Sequence, residues 1–333
     1  MTLTLGVHES VEVVFPPAAF LDAIADDAAA TETEVRVVAA GDDEALADDV
    51  PASLADVDAL GTFAYDEAFL DADLEWIHSI QTGVDKFPFD DLEAAGIALT
   101  NSTGIHGDAI GDTVAGYMLS FARRLHVYRD QQREREWEWP AFDEPFSLAG
   151  ERLCIVGLGV LGRGIAERAS GLGMEVVGVR RTPTPVANVD EVYGRDALDE
   201  AIADARFVAL ALPLTPETEG LIGEPEFAAM RPDAYLLNVA RGAIVDEAAL
   251  VEAVESEAAE SEAAESESIA GAALDVFETE PLPESSPLWD HEEVIVTPHA
   301  AAAHHAYADR VADIVAESLR RRKTGDGYAN RVV

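Results

Sequence analysis

One stretch constrains this chain more than any other. In IVGLGVLGRGIAERASGLG (155–173), Gly157-x-Gly159-x-x-Gly162 stands directly after an apolar run and directly before a helical pattern. Three spaced glycines alone say little, but between a strand and a helix they prescribe a tight turn onto a helix N-terminus. Gly157 permits the turn, Gly159 lets the backbone approach a pyrophosphate, and Gly162 allows close helix–strand packing. Val160 and Leu161 open the helix, where unpaired amide N–H groups favour an anion. The motif predicts a dinucleotide-binding α/β domain.

The surroundings extend that pattern. Before the motif, LTLGV (3–7), VRVVA (35–39), VDALGT (57–62), LEWIHSI (74–80) and IALTN (97–101) read as strands. PAAFLDAIADDA (17–28) and DDEALADDV (42–50) read as acidic-faced helices between them. After RLCIVGLG (152–159), the runs 176–180, 207–212, 235–240, 269–276 and 294–298 read as further strands, and 302–322 as a helix. Residues 106–136 read as one long helical stretch, apolar at 110, 114, 117, 118, 121 and 125. Strands alternating with helices imply parallel sheets. A length of 333 residues fits two domains, with the break expected near 102–106 and a second crossing near 298–304. ESEAAESEAAESES (255–268) repeats with a period of five, which suits neither helix nor strand, and reads as a solvated excursion.

Charge sets the environment. There are 65 acidic residues against 22 basic ones, a net charge of −43, and Lys86 and Lys323 are the only lysines. Such a surface repels itself in dilute buffer, whereas molar salt shortens the screening length to roughly 3 Å. With 48% apolar residues the chain is not acidic disorder. The composition predicts a halophilic cytoplasmic protein. No basic stripe could meet nucleic acid, and the RRRK run at 320–323 reads as a helix end. There is no run of about 18 apolar residues to span a membrane, and MTLTLGVHES lacks the features of a secretory signal. The single cysteine, Cys154, has no internal partner and reads as part of a buried strand. No spacing of His, Cys or acids resembles a metal site.

Against this acidity, VVGVRRT (176–182) places Arg180 and Arg181 side by side, eighteen residues beyond Gly162. An acid there would hold the ribose 2′-hydroxyl and repel a 2′-phosphate. Two guanidinium groups, with the Thr182 hydroxyl, favour the phosphate instead. The expected cofactor is NADP(H), with NAD(H) the weaker ligand.

Three more strand ends carry chemistry: NVARGAIVDE presents Arg241, ALDVFETEPLP presents Glu280, and VIVTPHAAAAHH presents His299. A 2-keto acid needs a cation for its carboxylate and an acid for its carbonyl oxygen. Arginine meets a carboxylate in two bonds and can polarise the carbonyl. Histidine can give a proton near neutral pH, and a carboxylate on its other ring nitrogen orients it and favours the charged form. His106, His304 and His305 lie outside any such motif and read as structural, with His106, at the loop-to-helix junction, the one of the three expected to face the site.

GLGVLG, LPLTPETEGLI, MRPDAYLLNVARGAIVDEAAL, AALDVFETEPLP and TPHAAAA, in that order, make the chain resemble the D-isomer-specific 2-hydroxyacid dehydrogenase family over nearly its whole length. The resemblance implies two Rossmann-like parallel-sheet domains. The smaller, flavodoxin-like substrate domain would be discontinuous, 1–103 with 302–333. The nucleotide-binding domain would take 104–301, with a dimerisation arm at about 106–145. It implies an active site in the cleft between the domains, usually in a homodimer, and reversible reduction of a small 2-keto acid to a D-2-hydroxy acid. Arg241, Glu280 and His299 match the family's catalytic residues, and Asp275 matches the acid near the nicotinamide carboxamide. SIQTGVDKF (79–87) resembles the loop whose N–H groups hold the substrate carboxylate, which implicates Thr82 and Gly83 beside Arg241 and His299. Leu212, Pro213 and Thr218 resemble the segment beside the cofactor riboses, and Val239 and Ala240 the nicotinamide side. Two features depart from the pattern: the interval from Arg241 to Glu280 is lengthened by the ESEAA repeat, and Asp112 replaces a common glutamate. Phe63, Tyr65 and Trp289 are aromatic candidates for a substrate pocket. Because the same architecture serves in cofactor-sensing corepressors, a binding role is the alternative to catalysis.

Overall fold

Alternating apolar runs and amphipathic segments resolve into two parallel sheets. The structure, a computed structural model, describes residues 3–25, 27, 33–38, 54–142, 144–255 and 269–333. The helix expected over 42–50 and residues 256–268 of the repeat lie outside the described residues. The chain divides into two compact units, Met1–Ile105 with Ala303–Val333, and His106–Ala302.

The first unit begins with β1 (Leu3–His8), α1 (Pro17–Ala25), β2 (Thr33–Val38) and β3 (Ala59–Thr62). It continues through α2 (Ala68–Asp71), β4 (Trp76–Ser79), α3 (Phe89–Ala95) and β5 (Ala98–Asn101). All strand pairs are parallel, in the order β2-β1-β3-β4-β5, which is the flavodoxin-like order. Strands β3, β4 and β5 are buried along their whole length, as parallel strands covered on both faces must be. Polar groups inside them are paired. His78 Nδ1 lies 2.8 Å from Thr100 Oγ1 and Nε2 3.1 Å from Ser102 Oγ. Burial pushes its pKa down to about 3, so the ring is neutral.

The second unit opens with α4 (Gly107–Ala122), α5 (Leu125–Glu134), β6 (Arg152–Val156), α6 (Val160–Gly171) and β7 (Glu175–Val179). Next come β8 (Glu191–Tyr193), α7 (Leu198–Ala203), β9 (Phe207–Leu210) and α8 (Glu224–Ala229). It closes with β10 (Tyr235–Asn238), α9 (Glu247–Glu255), β11 (Gly271–Leu274) and β12 (Val294–Val296). The sheet order is β12-β11-β10-β9-β6-β7-β8. Counted within the unit this is 3-2-1-4-5-6 with a seventh strand, the dinucleotide-binding order. The order reverses between β6 and β9, and ligands bind beyond the carboxyl ends of the strands at such a point.

The chain then returns to the first unit as α10 (Tyr307–Thr324). Its Val311, Val315 and Leu319 are buried with Leu5, Phe20 and Ile24, and Arg321, Arg322 and Lys323 form its last turn. Beyond it, Arg331 bridges to Thr100 at the free edge of β5.

Three local expectations are corrected. The stretch 106–136 is two helices, because Arg124 turns left-handed at φ 57°. That turn brings Arg124 Nη1 to 2.7 Å and His126 Nε2 to 3.0 Å from the Glu293 carboxylate. Strand β8 is an unanticipated three-residue edge with a polar exposed side. Strands expected over 207–212, 235–240 and 269–276 leave the sheet at Leu210, Asn238 and Leu274.

Candidate active site

The glycine turn sits at the carboxyl end of β6. Gly157 adopts φ +102°, and a side chain there would place Cβ 2.5 Å from the Ala211 carbonyl oxygen at the end of β9. At Gly162 it would run into the Gly157 carbonyl. Gly159, the N-cap of α6, is different: its side-chain position has no protein atom within 4 Å and opens onto a cavity of about 700 Å³. A pyrophosphate could lie against that backbone and meet the unpaired amides of the first helical turn. Val160 and Leu161 form this turn, with Val160 exposed. The residues present therefore fit a dinucleotide.

Arg180, Arg181 and Thr182 form the wall of the cavity beyond β7. The Arg180 backbone N–H donates to the Tyr193 carbonyl (3.1 Å) and its Nη1 to Thr184 Oγ1 (3.1 Å). Leu212, Pro213 and Thr218 line another side. Thr218 Oγ1 donates to the Pro213 carbonyl (2.8 Å) and accepts from Thr215 N–H (2.8 Å), which closes this segment into a turn. Arg163, Arg195 and Glu217 share the same cavity and were not singled out in the sequence. Arg195 donates to the Glu217 carbonyl. The Glu217 carboxyl is held below its ordinary pKa, first by a hydrogen bond from Thr215, with Arg195 and Arg181 among the further causes. The scarcity of basic residues that marks Arg180 and Arg181 is the signal that could have flagged Arg163 and Arg195.

Strands β10, β11 and β12 are parallel neighbours, so their carboxyl ends bring the segments of Arg241, Asp275 and His299 to one edge of the sheet. Asn238, buried, frames the first: its Oδ1 accepts from Ala240 N–H (3.0 Å) and its Nδ2 donates to the Arg241 carbonyl (3.0 Å). Val239 and Ala240 are buried in this turn. A side chain at Gly242 would run into the Phe277 carbonyl, so the arginine turn lies directly against the 277–280 loop. There Glu280 Oε1 accepts from Phe277 N–H (3.1 Å), and His299 Nδ1 donates to Glu280 Oε2 (2.9 Å). Because a carboxylate only accepts, Nδ1 carries the hydrogen in this pair and Nε2 takes no part in it. With side chains 45% and 37% exposed, His299 and Glu280 are reachable by a solute.

His299 itself has φ +51°. Its N–H donates to the Asp275 carbonyl (2.8 Å). The Asp275 carboxylate, 2% exposed, accepts from Thr297 Oγ1 (2.6 Å), Ala300 N–H (2.9 Å) and Ala301 N–H (2.8 Å). Three of its roughly four acceptor positions are thus committed within the protein. Tyr117 on α4 reaches Thr297 Oγ1 (2.6 Å), and burial pushes its phenol up to about 12.

In the first unit, Thr82 and Gly83 follow β4. Asn101 Nδ2 donates to the Thr82 carbonyl (2.8 Å), and among the described residues neither the Thr82 nor the Gly83 N–H has an acceptor. Tyr65 packs on Phe69 and Phe87, and Phe63 joins the cluster under α10. In the second unit, half-exposed Trp289 donates to the Pro283 carbonyl (3.0 Å). Buried His106 precedes α4, while the His304 and His305 rings lie 4.4 Å apart. Burial pushes the Cys154 thiol up to about 12. Among the described residues no cluster of His, Cys, Asp or Glu could hold a metal ion.

A strand–glycine turn–helix at the switch point of a dinucleotide-type sheet, beside a histidine–carboxylate pair, defines a nicotinamide-dependent dehydrogenase. Comparison with known proteins names the family. The model of the D-isomer specific 2-hydroxyacid dehydrogenase NAD-binding domain matches residues 115–301. A glyoxylate reductase of Thermococcus litoralis is 34% identical over 277 residues, 79% of this chain and 80% of the relative. A D-isomer specific 2-hydroxyacid dehydrogenase family structure from Aeromonas salmonicida superimposes with a TM-score of 0.81 at 30% identity, covering 100% of this chain and 99% of that one. One from Xanthobacter autotrophicus, solved with NADPH and MES, gives 0.79 at 30% identity, with 100% and 98% covered. The chain belongs to the D-isomer specific 2-hydroxyacid dehydrogenase family and is an NAD(P)-dependent oxidoreductase of 2-hydroxy acids.

Proposed function

We propose that this enzyme reversibly reduces small 2-keto acids to D-2-hydroxy acids and prefers NADPH. The observation that carries the reading is the His299–Glu280 bond of 2.9 Å beside the Arg241 turn, in the same unit as the glycine turn. Glyoxylate is the first substrate to test, because relatives of about a third identity are glyoxylate reductases and glyoxylate/hydroxypyruvate reductases.

When bound, the nicotinamide supplies the hydride. Arg241 pairs with the substrate carboxylate and polarises the carbonyl. As the carbonyl carbon gains hydrogen and its π bond opens, His299 hands the Nε2 proton to the oxygen. The Glu280 carboxylate keeps the imidazole in that orientation and steadies its charge. In the reverse direction His299 takes the hydroxyl proton. Asp275 is assigned to the nicotinamide side of the site, together with Val239 and Ala240. Arg180, Arg181 and Thr182 take the 2′-phosphate.

We further assign a halophilic, cytoplasmic setting from the charge of −43. No described helix is long and apolar enough to cross a membrane. A homodimer built on the 106–145 arm would cover Trp137, Trp139 and Phe142, which are 99%, 93% and 103% exposed. The test is an initial-rate panel of 2-keto acids with NADPH and NADH in concentrated KCl, run on the wild type and on Arg241→Ala. Turnover of small keto acids that Arg241→Ala abolishes is expected. Undiminished turnover in Arg241→Ala overturns the assignment, and tight NADPH binding without any turnover turns it toward a cofactor-sensing binding protein.

A further inference from the structure

A residue held in the left-handed region persists only where its surroundings over-determine it. His299, at φ +51°, is such a residue, and its loop hangs on Asp275. The Asp275 carbonyl takes the His299 N–H, and its carboxylate takes the Ala300 and Ala301 N–H groups and the Thr297 hydroxyl. The Thr297 hydrogen is therefore spent on Asp275. In the 2.6 Å contact between Tyr117 and Thr297 the phenol must then be the donor. The chain runs one way, from Tyr117 to Thr297 to Asp275. Four residues earlier, on the same face of α4, Thr113 Oγ1 donates to the Ala301 carbonyl (2.9 Å). Helix α4 thus grips the loop at both ends, before and after His299.

We propose that Tyr117 is a positioning residue for His299: through Thr297 it fixes the Asp275 carboxylate to which the loop amides bind, and so sets the direction in which the imidazole presents Nε2. The proposal rests on the reading of His299 as the acid–base group. Tyr117 touches no reacting atom. Its ring also packs in the core, at 6% exposure, so the hydroxyl has to be tested apart from the ring.

Tyr117→Phe keeps the ring and removes the donor; Thr297→Val removes the relay, and Thr297→Ser retains it. Hydrogen exchange of a peptide spanning 294–303 is followed in the cofactor-free full-length chain. In Tyr117→Phe and Thr297→Val the loop amides should exchange about fivefold faster while the rest of α4 keeps its protection. Under saturating substrates kcat should fall about tenfold, with the KM for cofactor within about twofold of wild type. Thr297→Ser should restore both, and the double variant Tyr117→Phe, Thr297→Val should be no worse than Thr297→Val alone. Unchanged loop exchange, loosening of the whole of α4, or multiplicative losses in the double variant would overturn the proposal. If Tyr117→Phe does not fold, the Thr297 pair decides the same point. His299→Gln separates the two claims: retained turnover there defeats the acid–base reading, while the exchange data still judge the clamp.

Discussion

Replacing Arg180 and Arg181 together with glutamine should separate two cofactors that differ by a single phosphate. Both side chains line the cavity wall beyond β7, and Arg180 Nη1 donates to Thr184 Oγ1. A hydrogen bond to a charged group is worth about 1.5–3 kcal/mol in protected surroundings. Arg181 is exposed and Arg180 half-buried, and concentrated salt screens them, so about 1 kcal/mol each is the appropriate scale. At 1.4 kcal/mol per decade, the loss of about 2 kcal/mol weakens NADPH binding roughly 30-fold. NADH has no 2′-phosphate and should weaken by less than about threefold. Titrating the fluorescence of each reduced cofactor against wild type and variant in the same concentrated KCl measures both constants without any turnover. Equal losses for NADPH and NADH would refute the phosphate clamp and leave the two arginines as ordinary surface charges.

Glu280→Gln keeps a side chain of the same shape against His299 but removes the charge opposite its ring, so kcat should drop about 10- to 100-fold with little change in Tm; steady-state kinetics and thermal melts check it. Because net charge is −43, dilution from molar to roughly 0.1 M KCl lengthens screening to about 10 Å and should lower Tm by about 10 °C or more; a flat Tm across that range would contradict the salt adaptation. The acid limb of stability should depend on His78. Its folded pKa of about 3 lies below the unfolded value of 6.5, so its contribution is intact above pH 6.5 and is lost as pH falls below it. From pH 6.5 to 4.5 this costs about 2–3 kcal/mol, and the Tm of His78→Gln should fall less steeply over that interval.

The legibility of this chain follows from how far each signal reaches. The glycine turn could be read because its strand, turn and helix are contiguous and each glycine answers a steric demand: the Ala211 carbonyl at Gly157, the Gly157 carbonyl at Gly162, the open cavity at Gly159. Arg241, Glu280 and His299 stood out because each follows an apolar run that ends a strand. Features decided at long range were invisible. Apolar positions keep helical spacing from 110 to 125, and the partner that Arg124 meets at its turn, Glu293, lies 169 residues away. Tyr117 read as one more apolar position on α4, since its hydroxyl partner lies 180 residues further on. Arg195 and Glu217 meet only because β8 and the segment after β9 converge on one cavity. The edge strand β8 is too short and too polar for its alternation to register.

The return of the chain to its first unit dictates an order of assembly on the ribosome. Leu5, Phe20 and Ile24 are made early, yet the side chains that cover them come from 311–319, and the partner of the β5 edge comes from 331. The intervening unit is contiguous, so it can close while synthesis proceeds, whereas the earlier sheet waits with its apolar face open. A released chain truncated before residue 307 should therefore yield a protease-resistant nucleotide-binding fragment attached to a labile leading segment.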